Sequence, residues 1–113
     1  MTAAPRVIYT RALCWAQAMA VTSTLIIMRP ERRGDEALLA HERCHCGQMR
    51  RDGTVVFWWR YATSRAFRQA VEVEAYRVQL AMRPAALEAF ATSLATRYYL
   101  PLTVAQARAL LTA

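Results

Sequence analysis

The sequence predicts an α+β fold, predominantly α, in which a small N-terminal β element packs on about five helices and residues 1–113 make one domain. Three observations support it. β-compatible runs are confined to residues 6–29, helix caps and breakers punctuate the rest, and 113 residues suffice for a hydrophobic core without obligatory cross-links. With 56% hydrophobic and 20% charged residues, the composition is globular rather than disordered.

The β-compatible runs are 6–10, 17–22 and 24–29, the last built on Leu25-Ile26-Ile27-Met28, with Ser23 as the turn of a hairpin joining the second and third. Alanine and methionine within 12–20 would also suit a helix. Pro30 and Gly34 break the chain, and Asp35 caps a helix over 35–51 that ends at Gly53 with Arg50 and Arg51 against its negative C-terminal dipole. A second helix, roughly 54–62, is apolar on nearly all sides and reads as buried, with Trp58, Trp59 and the methionines as core. Ser64 caps a third helix to about Met82, Pro84 starts a fourth to about Tyr98, and Thr103 caps a fifth to the C-terminus.

The formal charge of +7 comes from fifteen arginines and no lysine. Apart from Arg32-Arg33 and Arg50-Arg51 these are scattered, with no recognition-helix pattern, so a nucleic-acid partner is not expected. Three cysteines form no disulfide framework, and Cys44 and Cys46, two apart on a helix, point to different faces and can neither bridge each other nor share a structural zinc. The apolar stretch 12–28 falls short of the ~20 residues that span a bilayer and is interrupted by Gln17, Thr22, Ser23 and Thr24. A signal peptide ending at Ala18-Met19-Ala20 would remove much of the only sheet. The expected location is cytoplasmic, and membrane association of 12–28 is the competing reading.

Both histidines of the chain, His41 and His45, fall in His41-Glu42-Arg43-Cys44-His45. On a helix they project about 40° apart from one face, on a stripe with Leu38 and Gln48. This is the His-Glu-x-x-His layout of a zinc hydrolase, in which two imidazoles grip Zn²⁺ and the glutamate acts as general base. A third ligand is required. Downstream carboxylates are Asp52, Glu72, Glu74 and Glu88. Asp52 lies ~10 Å along the helix from His45, too far to share the ion. The third helix is the best source, and Glu88 an outsider. Glu72 and Glu74 are about 200° apart, so only one can face the metal. Periodicity sets Glu74 on the apolar face with Phe67, Val71, Val78 and Met82, and Glu72 nearer Arg68, Gln79 and Arg83.

His41-Glu42-x-x-His45 followed by Glu72-Val73-Glu74-Ala75-Tyr76 resembles the gluzincin zinc metallopeptidases, whose third ligand is a glutamate opening a Glu-x-x-Ala-Asp or Glu-x-x-Ser-Asp motif on the next long helix. Leu38-Leu39-Ala40-His41-Glu42-x-x-His45-x-x-Gln48, preceded by a strand ending near Met28, is similar to the very small bacterial and phage-type members with a minimal gluzincin core. The likeness covers about residues 16–80. It implies a zincin-like domain, Zn²⁺ held by His41, His45 and Glu72, and peptide or protein substrates cleaved by a zinc-activated water with Glu42 as general base. Tyr76 stands at the family's aspartate position, which usually contacts a ligating histidine. The longer metzincin pattern fails, since Gln48 and Arg51 stand where it needs glycine and histidine. Candidates for polarising the substrate carbonyl are Tyr61, Tyr76 and the arginines. A chain this short has no separate substrate lobe, so a shallow cleft, or one completed by a partner or homodimer, is expected. The alternative is a degenerate metal-binding or interaction protein without peptidase activity.

Overall fold

The computed structural model describes residues 4–113. Strands β1 (Arg6–Tyr9), β2 (Ala18–Thr22) and β3 (Leu25–Met28) precede α1 (Glu36–Asp52), α2 (Thr54–Thr63), α3 (Arg65–Met82), α4 (Leu87–Arg97) and α5 (Val104–Thr112). The fold is α+β, as the confinement of β signals to the N-terminus implied. The sheet order is β1-β3-β2, with β1 parallel and β2 antiparallel to β3. The turn at Ser23 and Thr24 is tied by the Thr24 N–H to Thr22 Oγ1 at 3.2 Å, and a register shift between Ala20 and Thr22 bends β2 at Val21. Alternation along β3 sends Ile26 and Met28 inward.

Helix α1 packs against β2 and β3. Its start is capped by Asp35, whose Oδ1 accepts the Leu38 N–H at 3.0 Å, and its end by Gly53 at φ 87°, a left-handed value that only glycine adopts freely. Ala20, Ile26, Cys46, Met49, Phe57 and Val71 form one core between sheet, α1, α2 and α3. A second core, around Tyr76, Ala91, Leu94, Leu100 and Leu111, joins α3 to α4 and α5. Helix α3 belongs to both, and the segment between Val71 and Tyr76 faces α1 where the two cores meet. Helices α3 and α5 start at their expected caps, Ser64 and Thr103, the latter in a reciprocal capping box with Gln106.

Two expectations are corrected. Helix α2 buries only Phe57, while Val55 is 82% and Trp59 71% exposed. The sharp turn at Gly53 lays a ten-residue helix on the outside of α1 and α3, so one face packs and bulky residues on the other meet solvent. Trp58 is half-buried with its Nε1–H donating to the Val21 carbonyl at 2.9 Å, so of the tryptophan pair only this one joins the interior. On α3 the buried face is Val71, Glu72, Ala75, Tyr76 and Gln79, whereas Glu74 and Val78 are exposed and Met82 is 53% exposed. The helical wheel fails there because the buried face includes the polar residues Glu72 and Gln79, which meet other polar groups on α1 rather than an apolar wall.

No helix among the described residues is long and apolar enough to cross a membrane, and 12–28 divides between a loop and two strands. Truncating Phe57 to alanine is expected to cost about 3–5 kcal/mol in urea denaturation, and Trp59→Ala to stay within about 0.5 kcal/mol. Equal losses would contradict this placement of α2.

Candidate metal centre

His41 and His45 leave α1 on the face turned to α3, one turn apart, with ring centroids 4.9 Å apart and planes at 77°. Glu72 enters from α3 and is 3% exposed. Its Oε1 lies 3.3 Å from His41 Nε2 and 3.1 Å from His45 Nε2. Its Oε2 accepts the Tyr61 hydroxyl at 2.5 Å. Tyr61 therefore fixes the carboxylate so that one oxygen faces both imidazoles.

The outer nitrogens are held as well. Gln48 Nε2 donates to Glu74 Oε1 at 2.7 Å and to the Val71 carbonyl at 3.1 Å, which turns its Oε1 onto His45 Nδ1 at 2.8 Å. An amide oxygen can only accept, so His45 Nδ1 carries a proton and Nε2 is the atom presented to Glu72. Gln79 Oε1 sits 2.9 Å from His41 Nδ1 in the same sense. Gln79, one turn beyond Tyr76 on α3, is thus the side chain that backs His41. Tyr76 instead packs edge-on against His41, centroids 4.5 Å apart, and its hydroxyl pairs with that of Tyr98 at 2.7 Å.

Glu42 is buried beside the pair, its Oε1 accepting the Ala20 N–H of β2 at 3.0 Å and its Oε2 3.9 Å from His41 Nε2. No buried side-chain nitrogen or oxygen among the described residues lacks a partner. Burial works against charge on His45, but the Glu72 carboxylate, with help from Glu42 and Gln48, raises its pKa to about 9. Burial would likewise raise Glu72, yet the charge of His45 and hydrogen bonds from both imidazoles hold it well below the usual carboxylate range. The Tyr61 hydroxyl is pushed up by burial and by Glu72.

These donors fit a divalent ion. His41, His45 and Glu72 are the group of His, Cys, Asp or Glu side chains found among the described residues whose ligand atoms converge, all within 4.8 Å of one another. Ligands on a tetrahedral zinc at ~2.0–2.1 Å stand about 3.3 Å from each other, close to the observed 3.1 and 3.3 Å spacings. A zinc held by two imidazoles and a carboxylate would keep its fourth position for another ligand. The other carboxylates lie apart: Glu74 anchors Gln48, Glu88 pairs with Arg108 on the surface, and Asp52 closes α1. All three cysteines are free, and burial pushes the Cys44 and Cys46 thiols up to about 11.

The sequence pattern had no means of assigning Gln79 or the Ala20 N–H to the site, and it offered Glu74 as a metal ligand rather than as the anchor of Gln48. The inward stripe through Gln48 was the one hint of an outer shell. A groove of about 560 Å³ opens over the centre, walled by β2, α1, α3 and α4. Comparison with known proteins finds no matching family model, curated protein or solved structure.

Protein stripped of divalent ions by a chelator is expected to show the charge coupling directly. His45, raised from an ordinary 6.5 to about 9, contributes stability that is complete below pH ~6.5 and is lost as pH rises through about 9. Glu72, lowered from 4.5, contributes stability that is complete above pH ~4.5 and is lost on acidification. Thermal melts in chelator should therefore peak between about pH 4.5 and 6.5 and fall steadily towards pH 9. A melting temperature unchanged from pH 6 to 9 would contradict the pairing.

Proposed function

We propose that this protein is a zinc-dependent peptidase of minimal gluzincin type, with His41, His45 and Glu72 holding the ion and Glu42 as general base. The observation that carries the reading is the convergence of two imidazole Nε2 atoms and one carboxylate oxygen next to a second buried carboxylate. Zinc held there would supply Lewis acidity to a scissile carbonyl and make water acidic near neutral pH.

The chain's own groups divide the remaining work. Glu42 Oε1 is occupied by the Ala20 N–H, so Oε2, on the side of His41, is the atom free to take a proton from water and pass it to the leaving amine. Tyr61 and the two glutamines keep the ligand atoms aimed inward, which lowers the reorganisation needed on binding the ion. Strand β2 supplies a way to hold substrate. It is the sheet edge next to the groove, and the Gln17 carbonyl accepts the Arg29 N–H across the ladder. By alternation the backbone groups of Ala18 and Ala20 turn to the open edge. With Ala20 engaged by Glu42, Ala18 is left to pair with an extended peptide laid along the groove.

Metal analysis of purified protein should give about one zinc per chain, lost in His45→Ala and retained in Glu42→Gln. On a peptide mixture, Glu42→Gln should lower kcat about 10²- to 10⁴-fold. Zinc binding with activity unchanged in Glu42→Gln would remove this mechanism, and zinc binding with no hydrolysis of any peptide would favour the interaction scaffold.

A further inference from the structure

The groove carries more positive charge than the metal centre needs. Arg32, Arg83 and Arg97 all line it. Arg32 and Arg83 share Asp35, at 3.8 and 3.4 Å, while that carboxylate also caps α1. Arg97, the last residue of α4, is exposed and among the described residues has neither an acidic partner nor a hydrogen-bond acceptor. It lines the same groove as His41, His45 and Glu72. Phe90, Ser93 and Arg97 share the α4 face that walls the groove, and Phe90 and Tyr98 pack on Tyr76, which packs on His41. The positive charge of Arg97 is also felt at the Tyr76 hydroxyl. Of the groove's carboxylates, Asp35 is shared by two arginines, and Glu42 and Glu72 belong to the centre.

We infer that the groove selects peptides bearing a carboxylate, which Arg97 grips from the α4 wall of the groove that lies over the metal centre. This rests on the peptidase reading above and adds the substrate class. A guanidinium presents paired N–H donors that match a carboxylate in a fork, and one lacking an internal acceptor keeps them available. The carboxylate can be a substrate's acidic side chain or its C-terminus, since the chemistry at Arg97 is the same.

Binding separates this inference from catalysis. The full-length Glu42→Gln chain, loaded with zinc, is titrated with fluorescent, N-acetylated alanine hexapeptides in which one glutamate is walked through each position. Each peptide, and the glutamate-free parent, is made as the C-terminal amide and as the free acid, the parent amide serving as the uncharged reference. The best carboxylate-bearing peptide should bind about tenfold or more tighter than the parent. Dependence on the glutamate position in the amide series marks a side-chain carboxylate, and tight binding of the free-acid parent marks the C-terminus. Either supports the inference. In Arg97→Met and Arg97→Gln the ratio of carboxylate-bearing to uncharged binding should fall to within about twofold, and Arg97→Lys should restore part of it. Equal binding of the uncharged parent would overturn the inference, as would a preference that survives Arg97→Met, which would assign it to the metal. Because the titration needs no turnover, failure of the peptidase reading appears separately, as hydrolysis missing from the unsubstituted chain.

Discussion

The structure depends on one buried contact, the Glu72 carboxylate held between the Nε2 atoms of His41 and His45. An isolated carboxylate this far from water would be strongly destabilising, and two imidazoles from another helix make it tolerable only at close to hydrogen-bond distance. The contact fixes the rotation of α3 against α1. It also explains why the buried face of α3 runs through glutamate and glutamine, and why, of the wheel's apolar residues, Val71 is buried and Phe67 packs on the core while Val78 and Met82 face outward.

Around that contact the fold supplies rigid backing in layers. Gln48 joins His45 to the Val71 carbonyl and Glu74, Gln79 backs His41, and Tyr61 reaches in from α2 to hold the far oxygen of Glu72. Each of these partners comes from an element that also contributes buried residues to an apolar core. Phe57 and Phe67 seat the helices beside Tyr61, and Tyr76 leads into the α4–α5 core. The polar network thus sits at the seam of two cores, with its open side on the groove. The same seam brings Ala20 of β2 to Glu42, so a single edge strand both orients the proposed base and borders the path a substrate would take.

Much of the scaffold was legible in the sequence because its signals are local. Asp35, Ser64 and Thr103 are caps whose side chains bond within three residues, and Leu25-Ile26-Ile27-Met28 reads as a strand from a short, continuous, isoleucine-containing apolar run. The histidine pair was legible for the same reason, being four residues apart on one helix. What the sequence hid is non-local. The choice between Glu72 and Glu74 depends on how α3 is rotated by α1, and Trp59 is exposed because Gly53 turns α2 to the outside, which no pattern within 54–63 encodes. Gln79 and Glu74 took their places only when two helices met, so helical periodicity left the buried Gln79 off the inward face and set the exposed Glu74 on it.

The central claim is that His41, His45 and Glu72 form one metal site. Zinc-edge X-ray absorption on the full chain loaded with one equivalent of zinc tests it most directly. A first shell of nitrogen and oxygen at ~2.0–2.1 Å with the outer-shell signature of two imidazoles is predicted, and the whole signature is predicted to be missing in His45→Ala, which loses the ion. Sulfur at ~2.3 Å, which would place the ion on Cys44 or Cys46, or a shell with no imidazole signature, would contradict it.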